Sequence, residues 1–241
     1  MVCDTVIYHP TLVRLKKFLD ATAGREKALR LLQYLCRFLS YYCYQKGFNL
    51  DTIQLFKKIQ GIITTNRKAL RFLKPLNHLT NASKTFDNKL MDSILRYTAV
   101  SKDIAYVFYL SLDSINWFKM LGIISHKKFP KNQKYTNWCW CIGLISGLLN
   151  DLRKIQISHE KKVALLKCED EKKDEKEVKI LLLDAIKLGH TAKRRLCWDL
   201  LDIFIVLNNL KFLNFDDGLI GGAGVITSIL GLQDIWSNIK V

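Results

Sequence analysis

Proline is scarce in this chain of 241 residues, with three copies at positions 10, 75 and 130. Because proline breaks helices and punctuates turns, that scarcity favours long helices over a turn-rich β architecture. Long apolar runs are also missing. No uncharged stretch reaches the ~20 residues that a helix needs to cross a ~30 Å hydrocarbon core. No apolar leader is expected either, since Asp4, Arg14, Lys16 and Lys17 interrupt the N-terminal residues. The seven cysteines are odd in number and follow no regular framework, so reduced thiols on a cytosol-made protein are expected. The last four residues, Asn-Ile-Lys-Val, form no Ser-Lys-Leu-type import tripeptide. An organelle address would have to lie in internal sequence.

Catalytic signatures are absent as well. Gly221-Gly222-Ala223-Gly224 is glycine-rich, but no Lys-Ser/Thr follows it as in a phosphate-binding loop, which leaves helix packing as its reading. There is no Gly-x-Ser-x-Gly, and the histidines at 9, 78, 126, 159 and 190 are scattered; His78 reads as interfacial or core. Cys139 and Cys141 lack a Cys/His pair at zinc-finger spacing, and buried thiols are the better reading. No enzyme activity, cofactor or metal site is expected, and no internal repeat is seen. Nor is nucleic acid an expected partner. The basic half carries no recognition helix, zinc finger or RNP-type aromatic motif, and its arginines alternate with Leu/Phe clusters too apolar for a DNA-tracking face.

What the chain does have is positive charge, unevenly placed. The formal net charge is +16, and residues 1–134 hold 23 Lys/Arg against 8 Asp/Glu. Residues 160–187 balance 8 against 8, and 188–241 balance 5 against 5. A basic half-chain attracts polyanions, whether nucleic acid or an anionic membrane surface.

Within that half, Ile59–Leu79 contains no acidic residue. On a helix at about 100° per residue, Ile59, Ile62, Ile63, Ala69, Leu70, Leu73 and Leu76 fall on one apolar arc. Arg67, Lys68, Arg71 and Lys74 gather on its flank and back. Such a helix suits the boundary of an anionic bilayer, its apolar face among acyl chains and its cations at phosphates. The alternative is a surface helix of a soluble bundle whose polar face happens to be basic.

Two uncharged runs of 16 residues, Tyr135–Asn150 and Gly218–Gln233, come near membrane-span length. Trp138 and Trp140 head the first and Trp236 follows the second, a placement that suits the lipid–water interface. Each also carries Gly-xxx-Gly spacing, at Gly143/Gly147 and Gly218/Gly222, which lets helix backbones approach closely. If these runs insert, the positive-inside rule turns the basic N-terminal half to the cytosol.

The expected fold is all-α: a membrane-associated bundle of five or six long helices. Thr11–Tyr44 reads as one long helix or a pair, broken at Gly47 and Asn49. A second helix, capped by Asp51 or Thr52, runs to about Lys74 and stops near Pro75. A third opens at Ser83 or Asp87 and runs towards Gly122; Asp113 and Lys119 inside it read as an ion pair. A basic loop at 126–134 leads to the first uncharged run. A further helix spans roughly Lys179–Leu213. The division expected is a basic N-terminal helical region, 1–134, with the amphipathic helix at about 59–76, and a C-terminal membrane region, 135–241, with a charged linker at about 160–178.

Three blocks, in this order and spacing, resemble the peroxin-eleven family. They are FLDATAGREKALRLLQYLCRF (18–38), RKALRFLKPLNH (67–78) and 194–236, with RRLCWDLLDIFIVLNNL followed by GLIGGAGVITSILGLQDIW. With a looser match around NWCWCIGLISGLLNDLRKIQ, the likeness covers nearly the whole chain and points to the yeast branch. The resemblance implies a peroxisomal membrane protein that promotes proliferation by inserting an amphipathic helix, curving and elongating the membrane before dynamin-related GTPases complete fission. It also implies self-association. Carried over, the wedge is Ile62–Leu76, with Arg67, Lys68, Arg71 and Lys74 as lipid-facing cations. The block from Arg194 onward matches the family's C-terminal membrane segment. A pore or metabolite conduit built from residues 84–122 and the C-terminal pair is the alternative. No function transfers to the charged insert at 169–177.

Overall fold

A computed structural model describes residues 8–125, 127–169 and 175–239. The described residues form eight helices and no strand: α1 (Pro10–Asp20), α2 (Thr22–Gln45), α3 (Leu50–Leu70), α4 (Lys74–Asp87), α5 (Ser93–Met120), α6 (Asn132–Glu169), α7 (Glu175–Asn209) and α8 (Asp217–Asn238). The all-α expectation holds, with more and differently bounded helices than expected.

Proline sets the starts of α1 and α4. Pro10 and Pro75 both sit in first turns, where an amide hydrogen would have no intrahelical partner. Pro75 therefore opens α4 rather than closing α3. The expected continuous helix over 59–76 is broken at residues 71–73, and Asn77–Leu79 are helical instead of turning the chain away. The Thr11–Tyr44 segment is a pair, α1 and α2, jointed at Ala21 in an extended conformation. Asn49, not Asp51 or Thr52, caps α3 by accepting from the Asp51 amide. The third long helix opens at Ser93, because the Asp92 carboxylate accepts the Leu95 amide at 3.0 Å. Three helices end the same way. Gly47, Gly122 and Lys211 take positive φ, and the next amide reaches back five residues, Phe48 to Cys43, Ile123 to Phe118 and Phe212 to Leu207. Of the expected charged linker, residues 160–169 extend α6 and residues 175–178 open α7. The charged insert at 169–177 falls largely on positions 170–174, outside the described residues.

The helices group into two compact units that interleave along the chain. One gathers residues up to 73, 110–134 and 204–241; the other gathers 74–109 and 135–203. A single linear division at 134 cannot express this, because α5 and α7 each contribute to both.

In the first unit α2 packs against α3 and, antiparallel, against α8. Tyr41, Phe38 and Tyr34 of α2 lie on Gly218, Gly221 and Gly224 of α8 in turn. A Cβ on Gly221 would stand 2.8 Å from the Phe38 backbone nitrogen, so the two backbones touch there. Arg30 donates to Thr227 at 3.0 Å, Arg37 to Asp217 at 2.6 Å and Tyr41 to Asp216 at 3.0 Å along the same seam.

In the second unit α5 and α6 run antiparallel. Arg153 meets Asp92, Asn150 meets Leu95 and Thr98, Ser146 meets Ser101, and Gly143 receives Ala105 and Tyr106. α6 also pairs with α7, where Ser158 donates to the Ala185 carbonyl at 2.7 Å and Gly147 leaves room for Lys102 and Asp199.

Candidate membrane-facing site

The charged residues of α3 do not lie where a simple helical wheel puts them. Arg67 is 8% exposed and forks onto Glu26 of α2, its two nitrogens 2.7 and 3.1 Å from one carboxylate oxygen. Lys68 is as deeply buried and pairs with Asp113 of α5. Arg71 takes the other oxygen of that carboxylate at 2.8 Å. Burial lowers the Arg67 pKa, and Arg71 and Arg30 add to that by repulsion, while Glu26 opposes them. Arg67, Lys68 and Arg71 are thus internal cations, not the lipid-facing flank expected of them. The physical reason is that two carboxylates on neighbouring helices desolvate with them, which a wheel of one helix cannot register.

The apolar residues of the same region turn outward. Ile62 is 53% exposed on α3 and Leu73 is 66% exposed in the turn that follows. Leu76, at 60%, belongs to α4 in the other unit, as does Lys74. Leu70 is half-buried, and Ile63 is buried in the first unit rather than presented to lipid. Exposed Leu55 and Phe72 extend the outward set in the first unit, and Leu79 and Phe86 extend it on α4. The solvent-facing lysines of α3 are Lys57 and Lys58, which no single-helix argument singled out.

The same inversion recurs elsewhere. On α1 the exposed leucines are Leu12, Leu15 and Leu19, while Phe18 packs on Trp236, ring centroids 5.9 Å apart. On α6 an outward stripe of Tyr135, Trp138, Ile142, Ile145 and Leu149 backs onto buried Thr136, Asn137, Ser146, Asn150 and Asp151. Soluble domains rarely expose such continuous apolar stripes over a polar interior.

Asp113 and Lys119 were expected to pair with each other. Asp113 is instead taken by Lys68 and Arg71, and Lys119 donates to the Phe129 carbonyl at 2.7 Å. His78 lies 2.7 Å from Asp103 and stacks on Tyr106 at 5.2 Å, an interfacial role within the second unit.

The helix-packing glycines are partly as expected. Gly143, Gly147 and Gly218 receive neighbouring side chains, all within this chain, so those faces are already filled. Gly222 has nothing within 4 Å of its Cβ position. The working stripe on α8 is Gly218, Gly221 and Gly224, spaced by three rather than four; the Gly-Gly-Ala-Gly cluster signalled it. Glu26 and Asp113 were missed as partners of the basic helix, although an acid midway along an apolar helix of a basic half-chain was a signal in plain view.

Among the described residues α8 is the one helix long and apolar enough to cross a membrane. Its 22 residues span about 33 Å at 1.5 Å per residue. The run Tyr135–Asn150 is embedded in the longer α6, which does not reach that composition. Five cysteines, Cys36, Cys43, Cys139, Cys141 and Cys197, are free thiols.

This arrangement defines a class: an all-α protein with apolar side chains turned outward and, among the described residues, one helix long and apolar enough to cross a membrane. The chain belongs to the peroxisomal biogenesis factor 11 family, whose model matches residues 12–236. It is 48% identical to the peroxisomal membrane protein PMP27 of Saccharomyces cerevisiae, covering 98% of this chain and 99% of that one. It is 41% identical to the peroxisomal membrane protein PMP30B of Candida boidinii over the full length of both. Peroxisomal membrane protein 11A of Homo sapiens is 23% identical, over 90% of this chain and 93% of its own. The likeness to the yeast branch is thus shown. No solved structure matches.

Proposed function

We propose that this chain is a non-enzymatic protein of the peroxisomal membrane that curves and elongates it ahead of fission. The observation that carries this reading is the outward presentation of Ile62 and Leu73 in the first unit and of Leu76 in the second, within a half-chain that is strongly basic. An apolar face sinking ~5–10 Å into one leaflet expands that leaflet over the other and favours curvature. Burying a leucine fully is worth roughly 1.5–3 kcal/mol, so a few such side chains outweigh the loss of their freedom. Lys57 and Lys58 face outward, where they meet headgroups.

The membrane anchor in this reading is α8, and the positive-inside rule turns the basic N-terminal half to the cytosol. Self-association concentrates the wedges, and dynamin-related fission machinery acts on the tubule so formed. Because Gly143, Gly147 and Gly218 are occupied within the chain, the open Gly222 face is the better surface for a second copy. Full-length protein reconstituted with anionic liposomes tests the wedge. Leu73→Asp with Leu76→Asp should abolish tubulation, and tubulation that survives the pair sinks the proposal.

The second reading, a metabolite conduit, draws on the polar pairs of the second unit in which a buried group meets a more exposed one, Asp199 with Lys102 at 3.5 Å and Ser146 with Ser101 at 3.2 Å. Each of these groups already has a partner, which weighs against an open polar path.

A further inference from the structure

Resting on the wedge reading, we propose that Glu26 and Asp113 form an electrostatic latch. It keeps the cations of α3 inside the first unit until an anionic bilayer exchanges lipid phosphates for those carboxylates. Four observations combine. Arg67, Lys68 and Arg71, the three cations of the 59–79 segment that belong to the first unit, are all turned inward. They share two carboxylates, each nearly buried, so the cluster holds more positive than negative charge. Both carboxylates come from outside the basic segment, Glu26 from α2 and Asp113 from α5, so separating α3 from those helices unmakes every pair at once. The apolar side chains that would enter a leaflet, Ile62 and Leu73, are by contrast already exposed.

The energetics favour an exchange at a membrane and not in water. A buried ion pair roughly breaks even against its desolvation cost, so holding these cations inside adds little stability. Removing a carboxylate partner while the cation stays buried is strongly unfavourable, which keeps the cluster closed in solvent. A phosphate-rich interface supplies several anions per cation. It therefore offers a low-cost destination that water lacks, each basic residue gaining about 1 kcal/mol, roughly a fivefold increase in affinity. In the same movement Ile63, buried with the cations, reaches the leaflet. The three cations assigned to lipid by their sequence thus serve there only after release.

The test uses full-length protein in nonionic detergent and on vesicles. Glu26→Gln with Asp113→Asn should speed trypsin cleavage after Lys68 and Arg71. It should also tighten binding to phosphatidylserine–phosphatidylcholine vesicles on the order of tenfold or more. Asp51→Asn with Asp87→Asn, two exposed acids, makes the same change in net charge and should bind as the unaltered protein does. The exchanged pair Arg67→Glu with Glu26→Arg leaves Asp113 with Lys68 and Arg71 and should keep the resistance to cleavage after Lys68, which simple unfolding would not. Unchanged cleavage and binding in the neutralised variant overturns the latch, as does cleavage that the exchanged pair fails to suppress. Vesicle binding that persists when Leu73→Asp and Leu76→Asp are added to the neutralised variant counts against the wedge itself.

Discussion

At Gly224 of α8, a Cβ would run into the ring of Tyr34, and at Gly221 into the α2 backbone beside Phe38. Two residues nearer the N-terminus than Gly224, Gly222 looks into open space. One methyl group therefore has opposite effects within one turn of helix. Gly224→Ala should lower stability by about 1–3 kcal/mol through overpacking. Gly222→Ala should raise it by up to about 1 kcal/mol by restricting the unfolded chain. Thermal unfolding in detergent reads both, and equal effects would refute the α2–α8 seam. The sequence made Gly-Gly-Ala-Gly legible as a packing stretch, but not which of its glycines pack. That depends on where the α2 rings arrive, and those rings lie some 180 residues away in sequence.

Helix boundaries show how the same residue type is read differently by position. Pro75 reads in the sequence as a stop and is a start, because a helix tolerates proline in its first turn as readily as it rejects it further in. Asp92 is a second local device. Its carboxylate accepts the Leu95 amide and the Arg153 guanidinium at 2.8 Å, and those bonds hold its pKa below the usual carboxylate range. A depressed folded-state pKa contributes stability that is complete above the unfolded value of about 3.9. That contribution disappears as pH falls through the lower folded value. The difference in melting temperature between the unaltered protein and Asp92→Ala should therefore be present at neutral pH and close under strong acid. A gap that stays constant would deny the ionised cap. Of the amphipathic arc read for α3, Ile62 and Ala69 face outward while Ile63 is buried and Ile59 and Leu70 are half-buried. Periodicity placed Arg67, Lys68 and Arg71 wrongly, because a single helix carries no record of Glu26 and Asp113.

Among the described residues, buried polar groups and outward apolar side chains occur in both units, and α8 alone is long and apolar enough to cross a membrane. Alkaline carbonate extraction of membranes carrying the full-length protein should leave it in the pellet. Release into the supernatant would remove α8 as a span and leave peripheral helices as the only attachment. The interleaving of the two units was not legible from composition. The charge census divides the chain near residue 134, whereas packing divides α5 between Tyr109 and Leu110, inside a continuous helix. Charge varies smoothly along sequence, but packing depends on which segments return to meet one another.

The residues by themselves determined the all-α class, the basic half and membership of the family. Each of these follows from local periodicity, composition or an ordered set of blocks. Only the tertiary structure decided that three of the four wedge cations face inward, that Asp113 serves Lys68 and Arg71 rather than Lys119, and that Gly221 and Gly224 close the α2–α8 seam. Those are pairings between distant segments, and the sign and depth of a charge's environment are set by the partner that folding brings to it.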